Sequence, residues 1–226
     1  EDEIDRVTGL AIETALASAL VASERTDLGE AVTSQGSYQT PFKLDPFKIS
    51  LADKLGLLLA ADAEMRRVDG VRVRRGNLNF VREQKWFANS EGALTEQTLV
   101  ESGGGIQATA VAGGEVQVRS YPNSFARQQV TGGWEAVLTW DLPGNAYRIA
   151  SEAVALLTAD ACPAGLTTTL VLGGGQLGLQ IHESCGHPIE LDRVFGSEAA
   201  YAGASFLTPE KLGVFHYGSP VVNITA

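Results

Sequence analysis

Two of the three histidines in this chain fall in one short run, His182-Glu183-Ser184-Cys185-Gly186-His187. Two imidazoles beside a carboxylate are zinc-hydrolase chemistry, where HExxH places its histidines at i and i+4 on one helical face. Here the spacing is i and i+5. On a straight α-helix that turns the two rings about 140° apart, too far for one ion. A π-like turn of about 4.4 residues reduces the offset to about 50°, and both rings then face one metal. Gly186 and Pro188 flank His187 and mark a helix that loosens and stops there. Two histidines and a third ligand hold a divalent ion with one position open to water. The ion lowers the water pKa and polarises a carbonyl. Glu183, next to a ligand but pointing elsewhere, takes the water proton and passes it to the leaving amine. Candidates for the third ligand within the chain are Cys185, His216, Glu190 and Asp192. The plain alternative makes His182 and His187 polar residues at a helix end. The apolar lead-in of Leu177, Leu179 and Ile181 favours an anchored ligand helix. Cys185 reads better as an unreactive packing residue.

A second motif overlaps the first. Gly173-x-Gly175-x-x-Gly178 follows an apolar run and opens a helix, as in the dinucleotide fingerprint, with Asp192 or Glu198 about 20 residues further on. Little chain remains after it for further βαβ units. The glycines also serve a simpler purpose if they let the turn run close beneath the ligand helix.

The elements that position these residues follow from periodicity. Residues 1–25 read as an amphipathic helix, with Ile4, Val7, Ala11, Ala15 and Ala19 facing a neighbour. A loop spans 26–49. Ser50 caps a second helix that runs through Leu55, Leu58, Leu59 and Met65. From Gly70 the period becomes two, and 70–140 reads as an antiparallel meander. Its runs 94–101, 106–111 and 115–121 are parted by glycines, and Trp134 to Trp140 adds a strand. Trp86, Trp134 and Trp140 are then sheet packing. The arginines at 66, 67, 72, 74 and 75 read as a solvated face, or one that meets an acidic partner. A helix covers Ala146 to Leu157, a strand Thr167 to Leu172, a short helix 176–186 and a last strand Pro220 to Ile224. The fold class is α+β: helices with an antiparallel sheet, followed by a segment carrying the metal-ligand helix. The domain division is 1–160 and 161–226, with Cys162-Pro163-Ala164-Gly165 as connector. The absence of an initial Met and the unpartnered last strand read as a chain cut at both ends.

The 226 residues carry 17 basic and 27 acidic side chains, a formal charge of -10. That argues against nucleic acid or an anionic membrane as main partner. Leu10 to Ala22 is too short and too interrupted to span a bilayer. Two cysteines make no disulfide framework, which fits a reducing compartment.

The run from Gly175 through HESCGHPIELDRVFGSEAAYAGASFL (182–207) resembles the TldD/PmbA family of metallopeptidases, and within it the TldD branch. Asp45-Pro46-Phe47, Asn89-Ser90-Glu91-Gly92, Cys162-Pro163-Ala164-Gly165 and Val222-Asn223-Ile224-Thr225 extend the likeness. The resemblance implies a cytoplasmic zinc enzyme in which the metal-ligand helix belongs to the start of a mostly β catalytic domain, with His182 and His187 as ligands, Glu183 as general base and a cysteine far downstream completing the site. Neither Cys162 nor Cys185 stands where that cysteine belongs. It also implies dimers, with a second copy or a PmbA/TldE-type subunit, and unfolded or leader peptides as substrates. The two histidines do not separate zinc from iron. A different class of function is a non-catalytic subunit that binds peptide along its sheet edges.

Overall fold

The computed structural model describes residues 2–21, 30 and 33–224. The fold is α+β, with helices and a mixed five-stranded sheet. The chain divides into two units, residues 1–40 with 82–99, and residues 41–81 with 100–226.

In the first unit α1 (Asp2–Ser18) has no buried residue, and Ile4 and Val7 face solvent. The close packing expected of its alanines is therefore not found among the described residues, and residues 22–25 lie outside them. Within the expected loop, β1 (Gln35–Gln39) forms and runs parallel to residues 94–98 of β3 (Leu94–Ala112). The sheet is thus mixed, not wholly antiparallel. The turn before β3 is built as its sequence indicates. Asn89 Oδ1 accepts from the amides of Glu91 (3.1 Å) and Ala93 (2.8 Å), and Gly92 takes φ +100°.

In the second unit, Ser50 caps α2 (Leu51–Arg66) by accepting from the Asp53 amide at 3.0 Å. Asp141 caps α4 (Leu142–Ala155) by accepting from the Gly144 amide at 3.1 Å. These helices cover one face of the sheet. Ile106, Ala108 and Ala110 alternate along β3 and meet Ala61 and Met65 of α2 and Ala146, Ile149, Ala150 and Ala153 of α4. Small residues on both layers let helix and strand approach closely. Arg74 of β2 (Val71–Ala88) pairs with Asp62 of α2 at 2.7 Å, and Arg119 of β4 (Glu115–Tyr121) pairs with Glu152 of α4 at 2.8 Å.

Gly103 to Gly105 do not interrupt β3. They let the chain after β4 press onto the strand: a Cβ at Gly105 would lie 2.5 Å from Tyr121 O and 2.6 Å from Ala126 O. Antiparallel β4 pairs with 106–112, and antiparallel β5 (Gln129–Thr131) with 101–103.

Trp134 to Trp140 is not a strand but the short helix α3 (Trp134–Thr139). Trp134 and Val137, spaced i and i+3, are its buried residues. Trp134 sits 5.9 Å from the Phe80 ring, whereas Trp86 is exposed. Glu135 explains the helical start. Its carboxylate accepts from the amides of Lys43 and Leu44, both at 2.9 Å, and of Gly133 at 3.3 Å. Burial alone would raise its pKa. The four amides that face it, those of Lys43, Leu44, Glu135 itself and Gly133, outweigh that and hold it below the ordinary carboxylate value. A carboxylate with a lowered folded pKa stabilises fully above its unfolded value and loses that contribution as pH falls through the folded one. Glu135→Gln is therefore expected to cost about 1–3 kcal/mol at pH 7. The gap to wild type should shrink below about pH 4. Urea unfolding of both proteins at pH 7 and pH 3 measures it. An equal gap at both values would show that charge plays no part.

Residues 167–172 and 220–224 form no strand, against expectation. Val171 and Leu170 are exposed, with no ladder to hold them extended.

Candidate metal centre

The ligand segment is a helix that changes pitch where the sequence requires. α5 (Gly174–Ile181) passes into a π turn over His182–Gly186, and a 3₁₀ turn over His187–Ile189 follows. The π turn is closed by the His187 amide donating to His182 O, an i to i+5 bond. Pro188 has no amide to continue the ladder. The wider turn brings the imidazoles together, with ring centroids 4.5 Å apart at 75°. One ligand atom each from His182, Glu183 and His187 lies within 4.8 Å of the other two. Glu183 does not point elsewhere: its Oε2 is 3.8 Å from His187 Nε2. The donors fit a borderline divalent ion, because imidazole nitrogen and carboxylate oxygen are both zinc ligands and the segment is open to solvent.

The four candidates for a further ligand are placed differently. Glu190 turns to the far side of His187, where His187 Nδ1 donates to its Oε1 at 2.9 Å. With Nδ1 so engaged, Nε2 keeps its lone pair on the Glu183 side. The other Glu190 oxygen lies 2.7 Å from Arg193 Nε, which also faces Glu198 at 3.8 Å. Asp192 of α6 (Leu191–Val194) accepts from the Arg193 amide. Cys185 is half-buried and lines, with His216, a separate cavity of about 400 Å³. Cys162 is exposed. Among the described residues, only His182, Glu183 and His187 form a metal-sized group.

The role of Glu190 as a positioning residue was missed by sequence reasoning, which weighed it only as a ligand. The signal was present: His187, Glu190 and Arg193 stand three residues apart, the reach of side chains on one helical face. If this turn holds a divalent ion, Glu190→Ala is expected to weaken its binding about 10–100-fold and preserve one site per chain. A titration with a competing chelator distinguishes this from unchanged affinity, which would remove Glu190 from the site.

Ser205 fastens the next segment beneath this turn. Its hydroxyl donates to Pro188 O at 2.6 Å, and its amide donates to Arg193 O at 3.0 Å. A cavity of about 150 Å³ between them is bordered by Glu183, His187, Arg193 and Phe206.

The dinucleotide reading of Gly173, Gly175 and Gly178 does not hold, because that fingerprint needs a strand ahead of the turn and 167–172 forms none. Gly175 has a packing reason: a Cβ there would lie 2.6 Å from Asn123 Oδ1. Gly173 and Gly178 have open space around them.

On this α+β fold, two histidines and a glutamate on one turn are residue types that can hold a divalent metal. Residues 44–159 match the PmbA/TldA metallopeptidase central domain, a stretch that comprises α2 to α4 and ends ahead of the histidines. The chain belongs to the PmbA/TldD family of metallopeptidases. No curated protein matches its sequence. No helix among the described residues is long and apolar enough to cross a membrane.

Proposed function

We propose that this chain carries the metal-binding helix of a zinc-dependent peptidase of the TldD type, with His182 and His187 as ligands and Glu183 as general base. The observation that supports it most is the π turn, which gathers the three groups within 4.8 Å. Zinc bound there would polarise the scissile carbonyl and acidify a water. Glu183 takes a proton from the attacking water and delivers it to the leaving nitrogen as the C–N bond breaks. The water oxygen stays on the acyl carbon, and the products are a carboxylate and an amine. Glu190 holds His187 in the tautomer that leaves Nε2 free. Zinc is the metal of choice in this reading, although the donors also suit ferrous iron.

The resemblance supports the rest: a third ligand from a cysteine outside residues 1–226, unfolded or leader peptides as substrates, a homodimer or a heterodimer with a PmbA/TldE-type subunit, and a cytoplasmic setting. The division into 1–160, an N-terminal-type domain, and 161–226, the beginning of the catalytic one, is likewise a proposal; the match that ends at 159 supports the place of the boundary alone. A second reading, a non-catalytic peptide-binding subunit, draws on β1. That strand ends the strand order with all five residues exposed, so an extended peptide has an edge to join. A zinc titration of the chain beside its His182→Ala variant tests the first reading. Saturable binding of one ion that the variant loses supports it, and equal binding by both overturns it.

A further inference from the structure

The face of the sheet opposite α2 and α4 carries a feature that the metal centre does not use. Gly76 of β2 faces Leu58 and Ile106, so its neighbours Arg75 and Asn77 point to the other face. The chain from 122 to 128 crosses that face and borders with them an open cavity of about 590 Å³, to which Gln107 and Arg127 also contribute.

This crossing is clamped. Gln128 and Gly104 exchange backbone hydrogen bonds at 2.9 and 3.0 Å. Asn77 Nδ2 donates to Ala126 O at 3.0 Å, and Ala126 is buried. The clamp holds Phe125 and Ala126 at φ +58° and +55°, left-handed conformations that cost a side-chain-bearing residue free energy. The only other such residue among those described is Asp141, which caps α4. The result is that Phe125 is thrust outward, 78% exposed, beside Arg127.

Charge makes the cavity specific. Arg74 at its edge is already neutralised by Asp62. Arg75 and Arg127 have no carboxylate partner among the described residues, in a chain whose formal charge is -10. Two unpaired guanidiniums, amides from Asn77 and Gln107, and a bare phenyl ring suit a carboxylate on an apolar stem. Guanidinium forks match planar carboxylates, and the ring covers methylenes. We propose that this cavity binds an acidic segment of a peptide, with a glutamate-type side chain between Arg75 and Arg127 and its stem on Phe125. The proposal rests on the peptide-substrate reading above and adds to it a preference for acidic sequence away from the cleaved bond.

The test is fluorescence anisotropy with two labelled octapeptides, one carrying two glutamates and the other glutamines in their place. The complete 226-residue chain is used, and peptide recovered from the same samples is weighed by mass spectrometry. The acidic peptide is expected to bind about tenfold tighter. Arg75→Gln and Arg127→Gln should each reduce that preference and together abolish it. Both side chains are exposed, so thermal melting should not change. Equal binding of the two peptides, or a preference that survives both substitutions, overturns the proposal. So does displacement of the acidic peptide by inorganic phosphate at concentrations where acetate has no effect, which marks a small-anion site. The preference is read from binding alone, so it stands or falls apart from the peptidase reading, which the zinc titration of the chain beside His182→Ala tests.

Discussion

On the reading proposed above, Glu183→Gln is expected to reduce peptide hydrolysis about 10²–10⁴-fold in a zinc-loaded protein that includes the downstream ligand cysteine. The substitution keeps the side chain's size and removes its ability to take a proton. Glu183 is largely exposed, at 61% of its side-chain surface, so the change should leave the melting temperature where it was. One of its oxygens lies within 4.8 Å of a nitrogen of each imidazole, a reach that a base for a nearby water needs. Zinc affinity should barely move, because the histidines remain. That combination separates a base from a ligand: a ligand's loss would show first in the titration. A variant that hydrolyses peptides at the wild-type rate would end the mechanism.

His187→Ala and His182→Ala are expected to abolish saturable zinc binding, each by more than about 100-fold, beyond the effect of losing an outer partner. Their thermal behaviour should differ from wild type only when zinc is present. A bound ion at a hundred times its dissociation constant stabilises the folded state by about 2.7 kcal/mol, and both variants should lose that increment. Without zinc, His182→Ala should melt like wild type because His182 is exposed. His187→Ala should melt slightly lower, since its ring is half-buried and hydrogen-bonded to Glu190. Calorimetry with and without zinc measures both terms. A zinc-dependent increment retained by either variant would place the ion elsewhere.

The π turn was legible in the sequence, for a local reason. Histidines at i and i+5 before a proline can share a face only if the turn widens, and the π turn at His182–Gly186 forms at that place. Capping was equally readable at Ser50, whose hydroxyl serves Asp53, and the α+β class followed from the change of period near Gly70. Each of these signals lies within a few residues of the structure it specifies. Other features depended on partners far along the chain. Trp134 to Trp140 has a strand-like composition, but Glu135 binds amides of residues 43 and 44 and helix α3 forms. Gly103 to Gly105 looked like a break because their packing partners, Tyr121, Ala126 and Gln128, come well after them. Val171 looked like strand, yet it has no ladder to join. Glu190 looked like a ligand until the pitch change at His187 turned that ring's Nδ1 toward it. Period, caps and helix pitch are settled by neighbours in sequence, through backbone sterics and local hydrogen bonds. Which strand is continuous, and which carboxylate binds which donor, depends on close approach between distant segments, and that exists only once the chain has folded.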